Sequence, residues 1–78
     1  MSGGKFDYFE YRMLDAANEI QNAVDDREHS DRAKIKMLEA VDMLRMAYVY
    51  AKAVDYYLSG DIGEDTLVSR IETELEKL

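Results

Sequence analysis

Cysteine, proline and tryptophan do not occur in these 78 residues, and there is one histidine, His29. Without cysteine no disulfide can staple the chain, and no thiolate is available as nucleophile or metal ligand. Without proline nothing forces a kink into a helix. A lone histidine supplies neither a zinc-binding pair nor a triad with an evident partner, so His29 reads as a solvated loop residue. The chain has no run of about 18 consecutive apolar residues, the least that crosses a membrane as a helix. Met1 to Lys5 lack the apolar stretch of about 7 to 15 residues that marks a secretory leader. The expectation is a protein of the cytoplasm.

Basic charge is also scarce. Seventeen acidic residues against ten basic ones leave a formal charge of −7, which disfavours binding to duplex nucleic acid or anionic membranes through neutralised phosphates. Small phosphorylated ligands remain open to a local basic cluster, because salt screens charges more than about 8 to 10 Å apart. Metal and catalytic constellations fail on inspection. Asp61, Asp65 and Glu72 fall at positions 1, 5 and 12 of a calcium-type loop, but Thr66 stands where the turn requires glycine. Asp25 with Asp26, and Glu72 with Glu76, are carboxylate pairs on a chain too small to offer the cleft that acid-base work needs. No glycine-rich phosphate loop is present. The expectation is a binding protein with no cofactor, metal or catalytic centre.

What the chain does have is helical periodicity. Phe6, Phe9, Met13, Ala16, Ile20 and Ala23, widened by Ala17 and Val24, form one apolar stripe and predict a helix over about 6–25. The charged stretch Asp25 to Asp31 interrupts the pattern, and Ser30 or Asp31 can cap the next helix. That helix is expected over about 31–58, with Met37, Ala40, Val41, Leu44, Ala47, Tyr48, Ala51, Val54 and Leu58 toward the first. A second apolar set, Ile35, Leu38, Met46, Val49, Ala53 and Tyr57, lies on its other sides, and from Met43 to Ala51 only Arg45 is charged. Gly60 and Gly63 mark a turn, Asp61 and Glu64 have capping-box spacing, and Leu67, Val68, Ile71 and Leu75 predict a short third helix over about 64–77.

The fold class is therefore all-α: one domain, a helical hairpin plus a short C-terminal helix. A chain this short buries only about 60% of its unfolded surface, and a helix apolar nearly all round is normally surrounded by protein. The core is thus expected to be completed by homo-oligomerisation.

Two groups of residues suggest a ligand. Arg27, Ser30, Arg32, Lys34 and Lys36 cluster at a helix start, where free amides and the helix dipole favour phosphate; salt bridges to Asp25, Asp26, Glu28 and Asp31 are the competing explanation. Six tyrosines are many for this length. Most are expected in core or subunit contacts, while Tyr8 and Tyr11 are the candidates to stack on a nucleobase.

Arg12, Ala16 and Ile20, the connector Asp26-Arg27-Glu28-His29-Ser30, then Leu38-Glu39-Ala40-Val41 and the spaced alanines that follow resemble the helical hairpin of phage anti-CBASS sponges. These are small proteins that sequester cyclic oligonucleotide signals of bacterial antiviral immunity. The resemblance covers about half the chain, and the acidic third helix lies outside it. It implies a homo-oligomer that holds ligand phosphates through Arg27 and Ser30, with Arg32 and Lys36 assisting, and stacks a base on Tyr8 or Tyr11. Asp55-Tyr56-Tyr57-Leu58-Ser59-Gly60-Asp61, followed by Gly63-Glu64, is similar to a stretch of other small helical phage proteins and implies no activity. The charge balance leaves a rival open, an acidic helical inhibitor that occupies the basic nucleic-acid channel of a host defence nuclease. A purely structural assembly subunit is the third reading.

Overall fold

The computed structural model describes residues 9–26 and 28–78. Phe6, Tyr8 and Arg27 lie outside them. The described chain consists of three helices, α1 (Glu10–Ala23), α2 (Asp31–Leu58) and α3 (Glu64–Glu76), with no strand among the described residues. The all-α expectation holds, and α2 has the predicted bounds. Helix one ends at Ala23 with Val24 as its cap, and α3 ends at Glu76 with Lys77 as its cap.

Local chemistry sets the boundaries. Ser30 adopts an extended backbone, and its hydroxyl oxygen accepts the Ala33 amide at 3.2 Å, so α2 begins with a side-chain N-cap. At the other end Gly60 takes φ 82°. Its amide donates to the Tyr57 carbonyl at 3.1 Å, and the Asp61 amide donates to the Tyr56 carbonyl at 2.9 Å, the paired bonds of a Schellman motif that only a left-handed residue closes without strain. Asp61, read as the capping residue, is not the N-cap of α3. Gly63 occupies the N-cap of α3 without a side-chain cap bond.

The three helices do not form a triangular bundle. α1 and α3 each run antiparallel along α2 and make no contact with each other among the described residues. The extents are 46 × 24 × 13 Å, and a 24 Å breadth fits three helices abreast at spacings of about 8 to 10 Å. α2 is the spine, and the side of it that carries Met43, Ala47 and Tyr50 is left exposed.

The buried set departs from the sequence expectation for this reason. Ala17, Val24, Val41, Val49 and Ala53 are buried, so the residues taken as merely widening the helix-one stripe lie at its centre. Phe9, expected in that stripe, is 55% exposed. Val49 and Ala53, assigned to the second face of α2, are buried where α3 packs, whereas Ala47 and Leu58, expected against helix one, are exposed. Asp55 is also buried, and its carboxylate accepts the Ser59 hydroxyl at 3.4 Å.

Candidate functional site

The basic helix start is only partly available. Ser30 commits one acceptor lone pair to the Ala33 amide and keeps its hydroxyl hydrogen to donate outward. Arg32 is exposed. Lys36 pairs with Glu39 at 3.1 Å across one turn, an exposed contact worth at most about 1 kcal/mol and easily exchanged for another anion. The connector is pinned by the Asp26 amide donating to the Ala23 carbonyl at 3.1 Å. Arg27, the strongest phosphate candidate in the sequence, falls outside the described residues, as does Tyr8.

Tyr11 is elsewhere. Its ring lies 5.7 Å from that of Tyr48 at a 58° tilt, and about 27 Å of α2, at 1.5 Å per residue, separates Tyr48 from Ser30. Within one chain the structure therefore does not bring Tyr11 together with Ser30, Arg32 and Lys36. An antiparallel hairpin carries the start of α1 to the far end of α2, so the tyrosine and the basic helix start end up distant.

Tyr11 belongs to a different constellation that sequence reasoning missed. The Lys52 ammonium stands 6.0 Å from the centre of the Tyr11 ring and 5.6 Å from that of Tyr48, within cation–π range. On the α3 side the Arg70 guanidinium lies 5.5 Å from the Tyr56 ring. Tyr48, Val49, Lys52 and Ala53 of α2, with Arg70 and Glu74 of α3, line a cleft of about 280 Å³. Partial burial works against the charge on Lys52, but the bond it donates to the Tyr48 hydroxyl and the proximity of Tyr48, Tyr11 and Tyr56 outweigh it. The Lys52 pKa is raised above its ordinary 10.5, so Lys52 is a permanent cation under physiological conditions. The missed signal was spacing: Tyr48, Lys52 and Tyr56 recur every four residues and so share one side of α2.

Opposite that cleft is an apolar groove of about 670 Å³ lined by Phe9, Glu10 and Met13 of α1 and by Ala47, Tyr50, Ala51 and Val54 of α2. Glu10 is 2% exposed and its Oε2 has no hydrogen-bond partner among the described residues. Its place in the first turn of α1 sets the carboxylate at the positive end of the helix dipole. Among the described residues no group of three or more histidines, cysteines or carboxylates could hold a metal ion, and no helix is long and apolar enough to cross a membrane.

No family model, curated protein or solved structure matches the chain. The class that the fold defines is a three-helix all-α chain with α2 as its spine, and any reading of function rests on the surfaces just described.

Proposed function

We propose that this chain is a phage immune-evasion protein that sequesters a cyclic nucleotide second messenger without cleaving it, acting as a homo-oligomer. The observation that carries the reading is the cluster of Tyr11, Tyr48 and Lys52. Rings with a fixed cation beside them offer a face for a nucleobase and a charge for its phosphate. Arg70 beside Tyr56 extends the same chemistry across the cleft. The cleft is smaller than a cyclic dinucleotide, so it receives one base with its phosphate, and the remainder of the ligand meets another copy. The exposed helix start with Ser30 and Arg32 is the second phosphate contact, in keeping with the resemblance of the connector. Sequestration needs affinity and no catalytic residue.

The test is native mass spectrometry of the purified protein with a panel of cyclic di- and trinucleotides. Intact nucleotide retained in a fixed ratio to protein is expected. Lys52→Glu should weaken binding about 100-fold, and Tyr11→Ala about 10-fold, in line with one ion pair and one stacking contact. Recovery of hydrolysed nucleotide, or indifference to the whole panel, would overturn the reading.

A second reading has its own support. Glu64, Asp65, Glu72 and Glu76 on α3 are all exposed, a negative face suited to the basic channel of a host defence nuclease. Neutralising Asp65, Glu72 and Glu76 together, all outside the cleft, would abolish such inhibition and leave nucleotide binding intact.

A further inference from the structure

The open side of α2 carries a repeat of its own. Ala40, Met43, Ala47, Tyr50, Val54 and Tyr57 are spaced alternately three and four residues apart, the pattern of a coiled-coil seam, and none is charged. None of the six is buried: Met43 is 71% exposed and Tyr50 46%. With Phe9 and Leu58, also about half exposed, the strip presents on the order of 600 Å² of apolar surface. That equals the largest patch usual on a monomer and approaches the roughly 800 Å² each partner contributes to a standard interface.

We infer that this seam pairs antiparallel with the same seam of a second copy of the chain, about a two-fold axis passing between positions 48 and 49. The side chains select this arrangement. With the axis there, Ala40 meets Tyr57, Met43 meets Val54 and Ala47 meets Tyr50, so each layer combines a larger side chain with a smaller one. Such layers fill space evenly and let the helices approach closely. A parallel pair would set Tyr50 on Tyr50 and Ala47 on Ala47, alternating crowding with voids. Displacing the antiparallel register by one heptad places Lys36 against Val54 in one direction, burying a charge, and in the other leaves Ala40 and Met43 facing positions beyond the end of α2 at Leu58, without a helix to cover them. In the chosen register Lys36 lies beyond the end of the second copy's α2 at Leu58, so its charge stays in water. Met43, the most exposed large apolar side chain among the described residues, enters the groove that Phe9, Met13 and Ala51 extend beside the seam. The inference goes beyond the nucleotide reading and does not depend on it.

Sedimentation equilibrium of the ligand-free full chain tests it, together with a cysteine pair, since the chain has no cysteine of its own. The chain is expected to sediment as a dimer or a multiple of dimers, and Met43→Glu is expected to raise the dissociation constant about 100-fold or more with helical circular dichroism retained. Mixed and oxidised, chains carrying Ala40→Cys and chains carrying Tyr57→Cys should form the mixed disulfide, and neither should cross-link alone. A monomeric wild type, or a disulfide between two Ala40→Cys chains, overturns the antiparallel seam. If Met43→Glu does not fold, the cysteine mixture still decides. No nucleotide enters either experiment, so failure here is distinguishable from failure to bind one.

Discussion

The two open sides of α2 are built from similar residue types and differ in what they can hold. Between α1 and α3, tyrosines alternate with cations: Lys52 stands over Tyr11 and Tyr48, and Arg70 over Tyr56. On the other side Tyr50 and Tyr57 alternate with alanine, valine and methionine, and no charge interrupts them between Ala40 and Val54. A tyrosine beside a cation is a polar recognition element, whereas a tyrosine beside alanine is a knob next to a hole. Neighbours, more than residue type, decide whether an aromatic belongs to a ligand cleft or to a subunit interface.

The sharpest way to break this contrast is to place the same carboxylate on each side of α2. Ala53→Glu puts a charge into the buried contact with α3 and should cost about 3 kcal/mol or more, read as a lower urea midpoint by far-UV circular dichroism. Ala47→Glu, on the open side, should leave the fold of the single chain within about 0.5 kcal/mol while abolishing concentration-dependent association. Equal destabilisation of the dilute chain by both variants would show that Ala47 is covered from within the chain.

Smaller changes at the helix ends sharpen the same comparison. Gly60→Ala meets no neighbouring atom within 4 Å, so its cost is the left-handed backbone alone, about 1 to 2 kcal/mol. It should loosen the attachment of α3, seen as faster hydrogen exchange in α3 than in α1. Ser30→Ala removes the cap of α2 and should cost about 1 kcal/mol, shifting the thermal midpoint without changing the association state. Any loss of nucleotide binding in that variant beyond this stability change measures the hydroxyl as a phosphate ligand.

Much of the architecture was legible along the chain, and the reason is local. Ser30 announces a helix start because its oxygen satisfies a free amide, and Ser59-Gly60 announces a stop because glycine alone enters the left-handed turn without strain. These are effects over four residues, and α2 followed them from Asp31 to Leu58. The capping residue read at Asp61 falls two positions before the observed N-cap, Gly63, because the Gly60 turn that ends α2 still includes Asp61. The candidate site was less legible. Tyr11 was read as an aromatic that stacks on a base, and the structure sets it beside Tyr48 and Lys52; Lys52 and Arg70 were overlooked because one stands between alanines and the other between serine and isoleucine rather than in a visible basic cluster. The conspicuous cluster at Ser30, Arg32 and Lys36 turned out to be divided between capping, solvent and an ion pair.

What the amino-acid sequence determined by itself is the helical state of three segments, the ends of α2, and the fact that α2 has more apolar surface than one neighbour can cover. Those follow from periodicity and capping, which act within a turn or two. Only the tertiary structure decided which apolar residues of α2 are covered by α1, which by α3 and which by neither. That depends on the angles at which the connector and the Gly60 turn deliver the flanking helices to the spine, and a wheel of residues around a single helix contains no information about the direction from which its neighbours arrive.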